Sequence, residues 1–131
     1  MEKNHLAIQA ALMRQSLFSQ GYLDGHFIQL EELQDETEPN FVEDTINLFF
    51  RESPQFIVFI ERGLDKSPID FNTLDGYIHK IKGSSSSIGA KKVSDLALEF
   101  RYYCDARDAE RCKKALEKLK IEHAILKEKL K

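Results

Sequence analysis

Apolar residues recur along this chain at helical spacing, and the runs they form predict six helices. Leu6, Ala10, Met13 and Leu17 mark a first helix over residues 4–20, closed by Gly21. Asp24 is placed to cap a short second helix to about Glu36, with Leu23, Phe27 and Leu30 apolar and Ile28 and Leu33 in addition. One buried face needs fewer apolar positions than that. The surplus, Phe27 among it, is either an exposed docking patch or lies under a neighbouring helix. Thr37 to Asn40 breaks the pattern, and a third helix then runs to Leu64. Its seam of Val42, Ile46, Phe49, Ser53, Phe56, Ile60 and Leu64 is the strongest packing signal in the chain. Pro54 removes one backbone hydrogen bond there and crowds the carbonyl of Phe50. The seam keeps its phase across it, which predicts one kinked helix rather than two. Asp70 caps the fourth helix, Val93, Leu96, Ala97, Phe100 and Cys104 mark a fifth, and a last helix runs from Asp108 towards Lys131 along Ala109, Cys112, Leu116, Leu119, His123, Leu126 and Leu130. Short connections make consecutive helices antiparallel. The predicted fold is all-α: an antiparallel up-down four-helix bundle over about 40–131, with two additional N-terminal helices over about 1–36 packed across one end, in a single domain 1–131.

Composition agrees with that fold and narrows the chemistry. At 131 residues and 15.2 kDa the chain is long enough to bury roughly two-thirds of its unfolded surface in one core. No apolar run approaches the roughly 18 residues that span a bilayer, and the opening MEKNHLAIQAALMRQS lacks the apolar core of a signal peptide. Cys104 and Cys112 lie on different predicted helices without metal-ligand spacing, and read as two free thiols of a reducing intracellular compartment. Cys112, between Arg111 and Lys113, is open to two readings, a packed thiol or a mildly acidified one. The net charge of −3 hides an asymmetry: residues 1–75 carry 14 acids against 5 bases, residues 76–131 carry 8 against 14. The basic half starts at the fourth helix, where Lys80, Lys82, Lys91 and Lys92 cluster in sequence, and suits an acidic partner surface. A pI near 5.8 and the lack of a groove-reading motif argue against nucleic acid.

The candidate chemistry sits in Asp70 to Ala90, DFNTLDGYIHKIKGSSSSIGA. Wound as a helix, Leu74, Tyr77, Ile81 and Ile88 share an apolar sector, with Ile78 and Ser85 at its margin, and His79 points about 160° from Ile81. Around His79 lie Gly76, Lys82, Gly83, Ser86 and Ala90, with Asn72 two turns earlier. A mid-helix glycine costs about 1 kcal/mol relative to alanine, and Ser84 to Ser87 compete for helix carbonyls. Small residues on that face make sense if something must approach His79, with Lys82 meeting an anion on the ring. The alternative is that they admit a neighbouring helix, which suits Ser84 and Ser85 on the inward flank. The other histidines have plainer readings. His123 lies on the seam of the last helix as a hydrogen-bonded core or boundary residue, His5 is near the N-terminus, and His26 has no second ligand at metal spacing, so no metal site is expected.

The run His79-Lys80-Ile81-Lys82-Gly83-Ser84-Ser85-Ser86-Ser87-Ile88-Gly89-Ala90 resembles the signature of histidine-containing phosphotransfer (HPt) proteins. With SLFSQGYLDGHFIQLEELQDE and FRYYCDARDAERC it is similar to the plant members of cytokinin signalling over nearly the whole chain. It departs at Lys80, where the plant pattern usually has Gln, and at Pro54. The resemblance implies that His79 accepts a phosphoryl group through Nε2 from a phospho-aspartate of a sensor kinase receiver domain and passes it to response-regulator receiver domains. It implies that Mg²⁺ and the catalytic groups come from those partners, that this chain needs no cofactor of its own, and that it is a carrier rather than an enzyme. It also implies a monomer that moves between cytoplasm and nucleus. Lys80, Gly83, Ser86, Ala90, Gly76, Asn72 and Phe27 are the expected receiver-docking residues, and Lys82 the expected charge for the phosphoryl oxygens.

Two other classes stay open on sequence. A helical adaptor would bind receiver domains without carrying phosphate, as family pseudo-members do, whose histidine is replaced; His79 and Lys82 weigh against it. The dimerisation helices of a histidine kinase also expose a histidine, but usually place an acid directly after it, where Lys80 stands here. No P-loop or glycine-rich phosphate loop is present.

Overall fold

Three aspartates start three of the helices. Asp24, Asp70 and Asp108 accept hydrogen bonds from the backbone N–H groups of His26, Thr73 and Arg111 at 2.9, 3.2 and 3.1 Å, satisfying donors that a helix start leaves unpaired. Bonds from the Thr73 side chain and backbone hold the Asp70 carboxyl below the usual carboxylate range. The computed structural model describes residues 2–130; Met1 and Lys131, the limits of the expected domain and of its last helix, lie outside them. The helices are α1 (Glu2–Ser19), α2 (Gly25–Glu32), α3 (Phe41–Leu64), α4 (Phe71–Ser87), α5 (Lys91–Asp105) and α6 (Ala109–Lys129). Pro54 sits inside α3 and does not split it.

Helices α3 to α6 pack each against the next, and α6 returns against α3, closing a four-helix bundle; α2 lies on α3 and α4. Ile60, Leu74, Ile78, Ile81, Phe100 and Leu119 are fully buried at its centre, each such side chain contributing about 1.5–3 kcal/mol by leaving water. Ile78 and Ser85, expected at the margin of the α4 face, are wholly inside. His123 is buried as its seam position predicted: its Nε2 lies 2.6 Å from the Ser53 hydroxyl, and its ring meets Phe50 at 5.1 Å. Cys104 and Cys112 are buried free thiols with sulfurs 3.9 Å apart. The contact and burial push the Cys104 thiol up.

Four expectations need correction. Helix α2 stops at Glu32 rather than Glu36, because Asp35 captures the N–H groups of Thr37 and Glu38 and the Thr37 hydroxyl, building a turn instead. Helix α4 stops at Ser87, where Gly89 turns left-handed at φ +73°. A helical projection therefore fails beyond it, and Ala90, expected on the His79 face, is fully buried at the start of α5. Phe27, expected as a docking residue, is buried under the same corner and meets Phe18 edge-on at 6.1 Å. The Leu6–Met13 stripe of α1 faces outward, and only Leu17 of its seam is buried.

The N-terminal pair is joined to the bundle by backbone. Asp24 N–H donates to Gly89 O at 3.0 Å and Lys91 N–H to Tyr22 O at 3.1 Å, bracketing a single bridge between Leu23 and Ala90. No helix among the described residues is long and apolar enough to cross a membrane.

Candidate functional site

Ile78 and Ile81 anchor the buried side of α4, and the helical period then turns His79 outward. Its Nδ1 lies 3.0 Å from Nη1 of Arg101 on α5. The same guanidinium reaches Asp75 on its other edge, Nε to Oδ1 at 3.0 Å and Nη2 to Oδ2 at 3.5 Å. Asp75 and His79 are four residues apart on α4, one turn, which lets a single side chain from the neighbouring helix serve both. Nε2 of His79 has no hydrogen bond among the described residues.

The cation in contact with the ring is thus Arg101. Sequence reasoning did not single it out, because its place depends on the relative register of α4 and α5. The one legible signal was its position next to Phe100, whose burial turns Arg101 towards the edge of the α4–α5 seam. Lys82 is half-buried and, among the described residues, makes no ion pair, hydrogen bond or ring contact. The other lysines of the cluster are engaged. Lys80 lies 5.3 Å from the Phe56 ring centre, Lys91 pairs with Asp95 at 2.9 Å, and Lys92 sits 3.9 Å over Tyr22.

The small residues divide into two sets. A Cβ built on Gly76 or Gly83 would meet nothing within 4 Å, so neither glycine is there to admit a neighbouring helix. Their effect is open space on the exposed side, beside an exposed Asn72. The serines are tied up in hydrogen bonds. Ser84, Ser85 and Ser87 donate to carbonyls three or four residues back, at 2.9, 3.1 and 2.8 Å, while the Ser86 and Ser94 hydroxyls lie 2.6 Å apart and tie α4 to α5. Ser85, fully buried, is the residue that lets helices close up.

Gly76, Lys80, Gly83 and Asn72 therefore share the exposed side of α4 with His79, Ser86 and Lys82 are partly exposed, and Ala90 and Phe27 present no side chain to it. Chemically the site is an accessible imidazole with one ring nitrogen gripped and one open. No group of three or more His, Cys, Asp or Glu among the described residues is arranged to hold a metal ion.

Residues 44–129 match the Hpt domain family. The chain is 50% identical over 111 residues to histidine-containing phosphotransfer protein 4 of Arabidopsis thaliana, covering 85% of this chain and 87% of that protein. It is 48% identical over 130 residues to pseudo histidine-containing phosphotransfer protein 2 of Oryza sativa subsp. japonica, covering 99% and 86%. The solved structure of a histidine-containing phosphotransfer protein from Medicago truncatula superposes with a TM-score of 0.89 at 37% identity, covering 96% of this chain and 86% of that one. The maize protein ZmHP2 superposes with 0.90 at 34%, covering 95% and 91%.

Proposed function

This chain belongs to the histidine-containing phosphotransfer family, and on that footing we propose that it is a working phosphocarrier with His79 as the residue that is loaded. The observation that carries this is an exposed imidazole with an unoccupied Nε2, on a helix face cleared by glycines that packing does not need. The Nε2 lone pair attacks the phosphorus of an aspartyl phosphate, the P–O bond breaks, and its electron pair returns to the donor's carboxylate. Onward transfer reverses the step on a second receiver domain. Mg²⁺ and the groups that activate phosphorus belong to the receiver domains, and Lys82 offsets charge on the transferred oxygens. Gly76, Gly83, Lys80, Ser86 and Asn72, exposed or partly exposed on α4 as His79 is, form the docking face. With plant relatives on both sides of the comparison, the setting we assign is a cytokinin-type relay between a membrane sensor kinase in the cytoplasm and regulators in the nucleus.

Relatives named with and without "pseudo" are similarly close, so a receiver-binding adaptor is the competing reading. The two separate on one assay. The chain is incubated with a phosphorylated receiver domain and Mg²⁺, beside His79→Gln. Acid-labile, alkali-stable label on the wild type and none on the variant is the expected outcome; receiver binding without label would make it an adaptor. Gel filtration is expected to show a monomer, whereas a kinase dimerisation domain would elute as a dimer.

A further inference from the structure

A guanidinium has only N–H donors and no acceptor. With Nη1 of Arg101 3.0 Å from Nδ1 of His79, Nδ1 must therefore present its lone pair, and the proton of the neutral ring sits on Nε2. That is the wrong nitrogen for a nucleophile that attacks through Nε2. We propose that Arg101, held by Asp75, is a positioning residue that reads the ring's proton: it parks unloaded His79 in the non-attacking tautomer, lets go for loading, and closes again on the phosphorylated ring. The proposal rests on the phosphocarrier reading for its loaded state.

Three states of the ring follow. In the resting state Nε2 bears hydrogen and Arg101 donates to Nδ1. In the attacking state Nε2 has the lone pair and Nδ1 bears hydrogen. An N–H then faces a guanidinium N–H, and the contact cannot hold. As the N–P bond forms and the electron pair of the broken P–O bond goes to the donor's aspartate, the ring becomes cationic, and the Nδ1 proton leaves to water. The loaded neutral ring, with phosphorus on Nε2, has its only in-plane lone pair on Nδ1. That is again the acceptor Arg101 needs.

The loaded state is also protected. Spontaneous hydrolysis transfers the phosphoryl group to water and returns the N–P electron pair to Nε2, and imidazole leaves as a neutral molecule only if Nδ1 has first taken a proton. Arg101 occupies that position. Asp75 makes the grip specific, because the carboxylate engages Nε and Nη2 and leaves Nη1 for the ring. A lysine has no such two-edged fork.

The test uses the full chain without any relay partner. Nitrogen-15 shifts of His79 in the unphosphorylated protein report which ring nitrogen bears hydrogen. The wild type is expected to show hydrogen on Nε2, and Arg101→Met and Asp75→Asn to gain the Nδ1–H form. Proteins loaded chemically with phosphoramidate are then followed for loss of phosphate. Hydrolysis is expected to be about three- to tenfold faster in Arg101→Met, the effect of one charge-assisted contact, with Arg101→Lys giving incomplete rescue. A wild-type ring with hydrogen mainly on Nδ1 overturns the proposal, as does a variant with unchanged tautomers and unchanged hydrolysis. Asp75→Asn supplies the second reading should Arg101→Met fail to fold. A chain that refuses phosphate from every receiver domain yet shows the tautomer shift would reject the carrier function and leave the clamp standing.

Discussion

Asp75 and His79, one turn apart on α4, share a single guanidinium, that of Arg101 on α5. Both side chains of the Asp75–Arg101 pair are about a third exposed, and pairs so placed contribute about 0–1 kcal/mol. Asp75→Ala should therefore leave the thermal midpoint within a few degrees of wild type. A midpoint drop of ten degrees or more would make the pair chiefly a structural fastening between α4 and α5.

Lys82 is the nearest cation in sequence that has no partner among the described residues. Lys82→Ala should slow transfer from a phosphorylated receiver by on the order of tenfold to a hundredfold, through one lost charge-assisted contact in the transition state. Folding should be nearly untouched. Rates are compared across a salt titration, and a wild-type rate matched by the variant at every ionic strength would remove Lys82 from the site.

Two helix glycines should respond oppositely to the same change. Gly83→Ala adds a Cβ to open space and should stabilise by up to about 1 kcal/mol. Gly63→Ala places one 2.5 Å from Cδ2 of the buried Leu74, and overpacking of about 1–3 kcal/mol should outweigh the helix gain. Gly83→Leu should keep the fold and still lose transfer, because its side chain stands one turn from the ring. Thermal midpoint and transfer rate on one preparation decide it. A destabilised Gly83→Leu whose folded fraction still transfers would assign the glycine to packing.

His123 should make stability depend on pH. Burial first, and the charge of Lys127 second, hold its pKa below the usual value of about 6.5. Below about pH 6.5 the unfolded chain takes up a proton that the folded chain refuses, so the unfolded state binds more protons and stability falls with falling pH. Above that value the residue contributes no slope. Urea midpoints at pH 7.5, 6.5 and 5.5 should fall over the lower interval in wild type and less steeply in His123→Gln. Parallel curves would place the titration on another group.

Gly89→Ala should be the most costly of these changes. The position is left-handed, and a Cβ there would lie 2.8 Å from Cβ of Phe27. A loss of about 2–4 kcal/mol is expected, read as a lower urea midpoint, and an unchanged midpoint would mean that the α4–α5 corner relaxes freely.

The sequence-readable part of the molecule was what a single helix determines. Periodicity placed the seams of α3, α5 and α6, Asp24 and Asp70 placed the starts of α2 and α4, and the outward turn of His79 followed from Ile81 facing in. Relations between elements were not readable in the same way. Arg101 reaches His79 only through the register of two helices, which no residue of either spells out. Phe27 was undecidable because α2 is apolar on more than one side, and its burial depends on the corner at Gly89. Ala90 was misplaced for a local reason: one left-handed residue ends the 100° rotation on which its assignment rested.

The backbone bridge at Leu23 and Ala90 makes the N-terminal pair a lever on the histidine helix. Its two hydrogen bonds hold the residues on either side of Ala90, two to four positions beyond the last residue of α4. Tension on α2 is therefore delivered to the C-terminal end of α4 without passing through the side chains of the core. The amides of Asp24 and Lys91 should exchange with deuterium together, since neither is released until the seam parts.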